Sequence, residues 1–197
     1  MKTDNMIKVS LLGALAFILS YFPKVPFFFI PFIDFDFSDL PALVAAIALG
    51  PFFGVAVELL KNVLHLFSSS TGGVGEIANF AVGSCIVLPV GLLMSKNKTN
   101  GNLLIGLIIG VVVATLSASL LNYFILIPLW AGIFGTNFDG IVSATAGSNA
   151  LVTSKLSLIL FGVVPANLIK FSIVSVAALL LFKYLSEPLL RVVKKIH

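Results

Sequence analysis

The chain has little charge and almost no cysteine, histidine or tryptophan. Twelve Lys or Arg and eight Asp or Glu amount to 10% of 197 residues, where a soluble domain carries about 25%. Disorder, a nucleic-acid-binding module and most soluble enzymes are excluded by that scarcity, and the net charge of +4 is read as setting membrane topology rather than meeting nucleic acid. The single cysteine, Cys85, rules out a disulfide framework or a cysteine metal site. His65 and His197 are too few for a histidine metal centre. No Gly-x-x-x-x-Gly-Lys-Ser/Thr loop is present, since Gly72-Gly73-Val74-Gly75 lacks the lysine, so the chain cannot use ATP alone. Nor is there a Gly-x-Ser-x-Gly elbow or a His-Glu-x-x-His pair for hydrolytic chemistry.

What is abundant is apolar: 59% of residues are hydrophobic, 18 of them Phe against one Trp, and the mean hydropathy is +1.14. A spanning helix takes about 20 residues, so six use about 120 and leave loops but no second domain. The expected fold is all-α: one integral membrane domain, residues 1–197, with six transmembrane helices.

The first run, Ile7 to Phe22, is read as a retained span, because the cleavage-like Ala14-Leu15-Ala16 lies inside its apolar core. Pro23, Pro26 and Pro31 punctuate a phenylalanine-rich stretch that is predicted as an apolar loop packed on protein or over a cavity. Asp39 is a candidate N-cap for a second helix reaching Leu49. After the Gly50-Pro51 turn a third helix runs from about Phe52 to Phe67, and a Ser/Gly loop, Ser68 to Gly75, closes it. The fourth span covers Glu76 to Met94, and the fifth Leu103 to Ile127, ended by Pro128. Residues 128–163 read as a long outer loop, and Pro165 suits the first turn of a sixth helix ending near Lys183.

Cations at helix ends set orientation. With the N-terminus inside, Lys2, Lys8, Lys96, Lys98, Lys183, Arg191, Lys194 and Lys195 lie on the inner side, against Lys24 and Lys155 outside. The expected topology is N-in and C-in, with the long loops and most acidic residues facing outward.

Charges within spans cost about 2.5–3.5 kcal/mol each at a helix centre and mark function. Glu58 and Lys61 are three apart and can pair, and Asn62 and His65 continue their face. Asn167 and Lys170 share a face of the sixth helix with no carboxylate within helical reach, which leaves Lys170 either to a polar ligand or to snorkelling. Glu76, Asn79, Asn122 and Asp39 also sit at outer helix ends. Hydrogen-bonding groups above an aromatic-walled cavity suit a flat, partly polar ligand.

Asp36-Phe37-Ser38-Asp39-Leu40-Pro41-Ala42-Leu43, with Gly50-Pro51 and Lys61-Asn62-Val63-Leu64-His65, resembles the substrate-binding S components of energy-coupling factor (ECF) vitamin transporters. Gly75-Glu76-Ile77-Ala78-Asn79-Phe80, Leu121-Asn122-Tyr123-Phe124 and Pro165-Ala166-Asn167-Leu168-Ile169-Lys170 are similar to the riboflavin-specific branch. The resemblance spans nearly the whole chain. It implies a bacterial plasma-membrane protein, not an enzyme and with no resident cofactor, that binds riboflavin from outside, with flavin mononucleotide as a further ligand. It also implies a transmembrane coupling subunit and two cytoplasmic ATPases as partners. Glu76, Asn79, Asn122, Asn167, Lys170 and Asp39 become the candidates for the substrate site. The family's Ala-x-x-x-Ala docking face on the first helix is represented here by Ser10-x-x-x-Ala14 and Ala16-x-x-x-Ser20. The alternatives are an S component for thiamine or biotin, an intramembrane lipid-modifying enzyme, which lacks the required metal or nucleophile cluster, and a stand-alone carrier using Glu58 and Lys61 as a charge relay.

Overall fold

A computed structural model describes residues 3–22, 25–69, 71–133 and 135–194, with the backbone alone for residues 31, 32 and 185–194. Among the residues read as setting topology, Lys2, Lys24 and Lys195 lie outside the described set, as do the side chains of Arg191 and Lys194. Pro23 also falls outside it.

Nine α-helices and one two-stranded hairpin make up the described chain: α1 (Thr3–Leu19), β1 (Val25–Phe27), β2 (Ile30–Phe35), α2 (Leu40–Leu49), α3 (Pro51–His65), α4 (Val74–Lys96), α5 (Asn100–Leu121), α6 (Ile127–Ile133), α7 (Phe138–Ala146), α8 (Lys155–Leu158) and α9 (Val164–Lys194). The all-α membrane reading holds in its coarse form. Among the described residues three stretches are long and apolar enough to cross a bilayer, Val74–Lys96, Asn100–Ile133 and Lys155–Tyr184. Exposed apolar residues cover the sides, among them Leu11, Leu15 and Ile18 on α1 and Leu104, Ile108 and Leu116 on α5, a surface suited to lipid rather than water.

Local signals explain most boundaries. Pro41 pre-sets the first turn of α2. Gly50 ends that helix at φ 116°, a conformation an L side chain resists, and Pro51 then opens α3. The hydroxyl of Thr99 caps α5 by accepting from the Asn102 backbone N–H at 3.1 Å. The shortest helix, α8, is held by a reciprocal pair between Ser154 and Ser157.

Two expectations change. The proline-rich stretch is an antiparallel hairpin rather than a loop, with Val25 opposite Phe35, Pro26 opposite Asp34, and a register shift after Pro26. A two-stranded ribbon leaves each strand a free edge, where proline's missing N–H removes no ladder bond. Pro128 does not end the fifth span either. A π-helical turn, Asn122–Leu126, precedes it and α6 continues the same rod; that wider turn alters the hydrogen-bond ladder ahead of the proline. Residues 128–163 therefore form largely short helices, including a second π turn at Ile159–Val163 that leads into α9.

The core has two parts. The larger joins α1 to α5 with α9 through Leu43, Val57, Ile86, Val90, Ala114 and Val174. The smaller lies under the hairpin, where Ile30, Ile127, Leu158 and Val163 are fully buried. In the larger core α4 packs closely on α5. A Cβ at Gly110 would stand 2.7 Å from the Ile86 carbonyl oxygen, and one at Gly106 2.9 Å from the Val90 Cα. This Gly-x-x-x-Gly spacing lets the two backbones approach. Gly110→Val is therefore expected to destabilise the protein by about 1–3 kcal/mol, read as a lower unfolding midpoint in detergent. Gly101→Ala near the start of α5, where a Cβ meets nothing nearer than Thr99 Oγ1 at 3.9 Å, leaves the midpoint unchanged or slightly raised.

Candidate substrate-binding site

The acidic sequence between β2 and α2 folds inward, onto lysines of two distant helices. Asp39 has the backbone position of an N-cap but makes no side-chain cap bond. Instead Lys61 Nζ donates to its Oδ1 at 2.7 Å, and Lys170 Nζ stands 3.7 Å from its Oδ2. This corrects the capping role expected for Asp39: two buried ammonium groups are stronger partners than a backbone N–H. Lys61 also pairs with Glu58 Oε2 at 2.6 Å and donates to Ser38 Oγ at 3.3 Å. Lys170 donates to Asp36 Oδ2 at 3.0 Å, while Asp36 Oδ1 accepts from the Ser38 backbone N–H at 2.8 Å.

Glu58, Lys61 and Asp39 are each 1% exposed or less. Their burial is tolerable only because every charge has an opposite neighbour; removing one partner of a buried pair costs about 3–5 kcal/mol. Gly83 of α4 makes room for the innermost member, since a Cβ there would meet Glu58 Oε2 at 2.4 Å. The pairing of Glu58 with Lys61 follows the sequence reading. Lys170 does not: it is neither unpaired nor snorkelling, because carboxylates more than 130 residues away in sequence reach it.

Asn167 lies one turn before Lys170 on α9 and is buried, its amide nitrogen donating to the Val163 carbonyl at 2.8 Å. Asn122 is buried likewise and donates to the Ala118 carbonyl at 2.8 Å. Both asparagines adjoin π turns, Asn122 as the first residue of one and Asn167 through Val163, the last residue of the other. Such turns recur at functional sites because they re-aim side chains. Each amide keeps a second N–H and a carbonyl oxygen for other partners.

Glu76 belongs to a different cluster. Its carboxylate accepts from Ser69 Oγ at 2.8 Å and Thr71 Oγ1 at 3.1 Å, and His65 Nδ1 lies 3.1 Å away. His65 in turn stacks on Tyr21 with ring centroids 5.2 Å apart, and the Tyr21 hydroxyl is bonded to Ser68. These contacts clasp the loop before α4 to the ends of α1 and α3. Asn79 is half-buried one turn further along α4. Ala16 and Ser20 are buried, Ser20 donating to the Phe17 carbonyl at 2.6 Å, whereas Ser10 and Ala14 are exposed. Of the two small-residue pairs on α1, only Ser10 and Ala14 present a free face.

Beside the hairpin an open cleft of about 560 Å³ is lined by Phe28, Phe29, Asn149, Leu151, Phe161 and Ile169, among others. Phenylalanines of the hairpin thus do wall a cavity, with residues preceding and within α9 opposite them. Sequence reasoning missed Asp36 as a site residue. The signal for it was Lys170 itself, a buried lysine with no local carboxylate that requires a remote one.

Paired charges and buried amides inside an apolar helical bundle mark a membrane protein, and neither the charges nor Asn122 and Asn167 are among the residues that line the cleft. The chain belongs to the family of ECF transporter substrate-specific components, whose model matches residues 4–182. It is 35% identical over 192 residues to the riboflavin transporter RibU of Staphylococcus aureus, covering 97% of this chain and 95% of that one. It is 33% identical over 189 residues to the riboflavin transporter FmnP of Bacillus subtilis, covering 92% of each. A solved structure of the S component of a bacterial ECF transporter superposes with a TM-score of 0.74 at 33% identity, over 96% of this chain and 99% of that one.

The clasp around Glu76 makes a direct prediction. Glu76→Ala removes the acceptor shared by Ser69, Thr71 and His65, so amide hydrogen exchange at Thr71–Gly75 is expected to rise relative to wild type while exchange in α5 stays constant.

Proposed function

We propose that this chain is the substrate-specific subunit of an ECF-type importer and that its substrate is riboflavin. The observation that carries the reading is similarity over almost the full length to proteins named as riboflavin transporters, at 31–35% identity. The chemistry of the site agrees with it. Riboflavin has a flat ring system with hydrogen-bonding edges and a hydroxylated chain, and carries no charge for the protein to neutralise. Asn122, Asn167 and Lys170 supply hydrogen bonds, with Asn79, Glu76 and Asp39 as further candidates, and the phenylalanines of the hairpin supply apolar wall. Flavin mononucleotide is a second ligand on this reading.

The chain sits in the bacterial plasma membrane with six spans, α1, α2, α3, α4, the α5–α6 rod and α9, and with both termini inside. ATP hydrolysis comes from two cytoplasmic ATPases through a transmembrane coupling subunit, against which the exposed Ser10 and Ala14 face of α1 docks. The protein is not itself an enzyme on this reading, since its part is to bind and carry.

Purified protein is expected to be yellow, with a flavin spectrum released on denaturation, and to bind riboflavin at submicromolar concentration. Failure to bind at that concentration overturns the reading. Lys170→Ala is expected to weaken binding about 10- to 100-fold, as loss of a hydrogen bond to a charged donor implies, without preventing membrane insertion. Uptake into vesicles is expected to require the coupling subunit and the ATPases.

A further inference from the structure

Lys61 is buried and enclosed by Glu58, Asp39 and Ser38, each of which it already pairs with or donates to. Yet it is joined to Lys170 through one carboxylate. Asp39 offers Oδ1 to Lys61 at 2.7 Å and turns Oδ2 towards Lys170 at 3.7 Å. A carboxylate held firmly on one oxygen has its other oxygen fixed in space, so the location of Asp39 Oδ2 is set by Lys61. Asp36, hydrogen-bonded to the Ser38 backbone N–H, gives Lys170 its second fixed neighbour. An ammonium has three N–H groups, and among the described residues one of them makes a hydrogen bond, to Asp36.

We propose that Lys61 is a positioning residue for the substrate site: with Glu58 behind it, it holds Asp39 so that Asp39 and Asp36 aim a remaining N–H of Lys170 at the ligand. The inference rests on Lys170 meeting riboflavin, as the proposed function has it. It extends the working part of the site from α9 through the start of α2 to the middle of α3. Buried charges of this kind are held in one arrangement because no solvent is present to replace a lost partner. Lys61 therefore acts on the ligand only by way of Lys170.

That dependence gives a test which a purely structural ion pair does not pass. Glu58→Gln with Lys61→Met removes one negative and one positive charge at nearly constant volume, so the net charge of the cluster is unchanged, and with Lys170 intact Asp39 keeps that lysine as its neighbour. The pair of substitutions is made in the full-length protein with Lys170 intact and again with Lys170→Met, and riboflavin affinity is measured in detergent by quenching of flavin fluorescence. With Lys170 intact, affinity is expected to fall about tenfold or more; in the K170M protein the same pair is expected to change it less than about twofold. An equal loss in both proteins, or no loss with Lys170 intact, overturns the proposal. If the doubly substituted chain does not fold, Lys61→Arg, which keeps every charge but displaces the contact to Asp39, replaces it in both arms with the same expected and overturning results. Absence of riboflavin binding by the wild-type protein is a separate outcome that overturns the proposed function itself, and so is distinguished from failure of the coupling.

Discussion

The structure depends on one carboxylate shared between two buried lysines. Asp39 stands where the hairpin hands over to α2, Lys61 is in the middle of α3, and Lys170 belongs to α9. Three parts of the chain that share no sequence neighbourhood are thereby fixed relative to one another. In water such pairs contribute little, because solvent competes for each charge and salt screens it. Inside an apolar bundle the alternative to pairing is a bare charge, so the pairs persist even where they add little net stability. They act as a constraint on arrangement more than as a source of free energy.

The surrounding packing is arranged to accept that constraint. Gly83 leaves a space on α4 that the Glu58 carboxylate occupies, and small residues such as Ala42, Ala45 and Ala46 let α2 lie close to its neighbours in the larger core. Around the hairpin, Ile30 is fully buried in the smaller core. Burying such a side chain contributes about 1.5–3 kcal/mol, which anchors β2 and hence Asp36, six residues later, at its end. Aromatic edge-to-face contact between Phe35 and Phe37, with centroids 4.9 Å apart, stiffens the same connection. Apolar packing thus delivers two aspartates to a depth where they would not go alone.

Much of this was legible in the sequence, and the reasons for the rest are specific. The long apolar runs on either side of the Gly50-Pro51 turn marked helices, because each boundary residue acts within a few positions of itself. Glu58 and Lys61 announced their pairing by helical spacing. The Asp36 and Asp39 contacts to Lys170 span more than 130 residues, and no periodicity reports a contact that only tertiary folding creates. Pro128 misled because the rule that proline stops a helix assumes regular α geometry, which the π turn at Asn122–Leu126 suspends. The hairpin was missed because its prolines lie on a ribbon with free edges, where their usual penalty does not apply. Ser10 and Ala14 could not be separated from Ala16 and Ser20 by spacing alone; burial of the second pair separates them.

Pairing of all the deep charges also bears on what the site can bind. A ligand that had to neutralise Lys170 by its own charge would need to displace Asp36 and Asp39, leaving Asp36 with only the Ser38 backbone N–H as partner while Asp39 kept Lys61. A neutral ligand asks for no such exchange: it takes up unused N–H groups and amide oxygens while the ion pairs stay closed. On the proposed reading, charge stays where it is as the ligand comes and goes, and the groups that change partners are the amides of Asn122 and Asn167 and the remaining N–H groups of Lys170. A subunit that binds in one step and depends on others for energy benefits from that division. Ligand exchange then requires only hydrogen bonds to be remade, at about 0.5–1.5 kcal/mol each for neutral groups, rather than a buried charge to be uncovered.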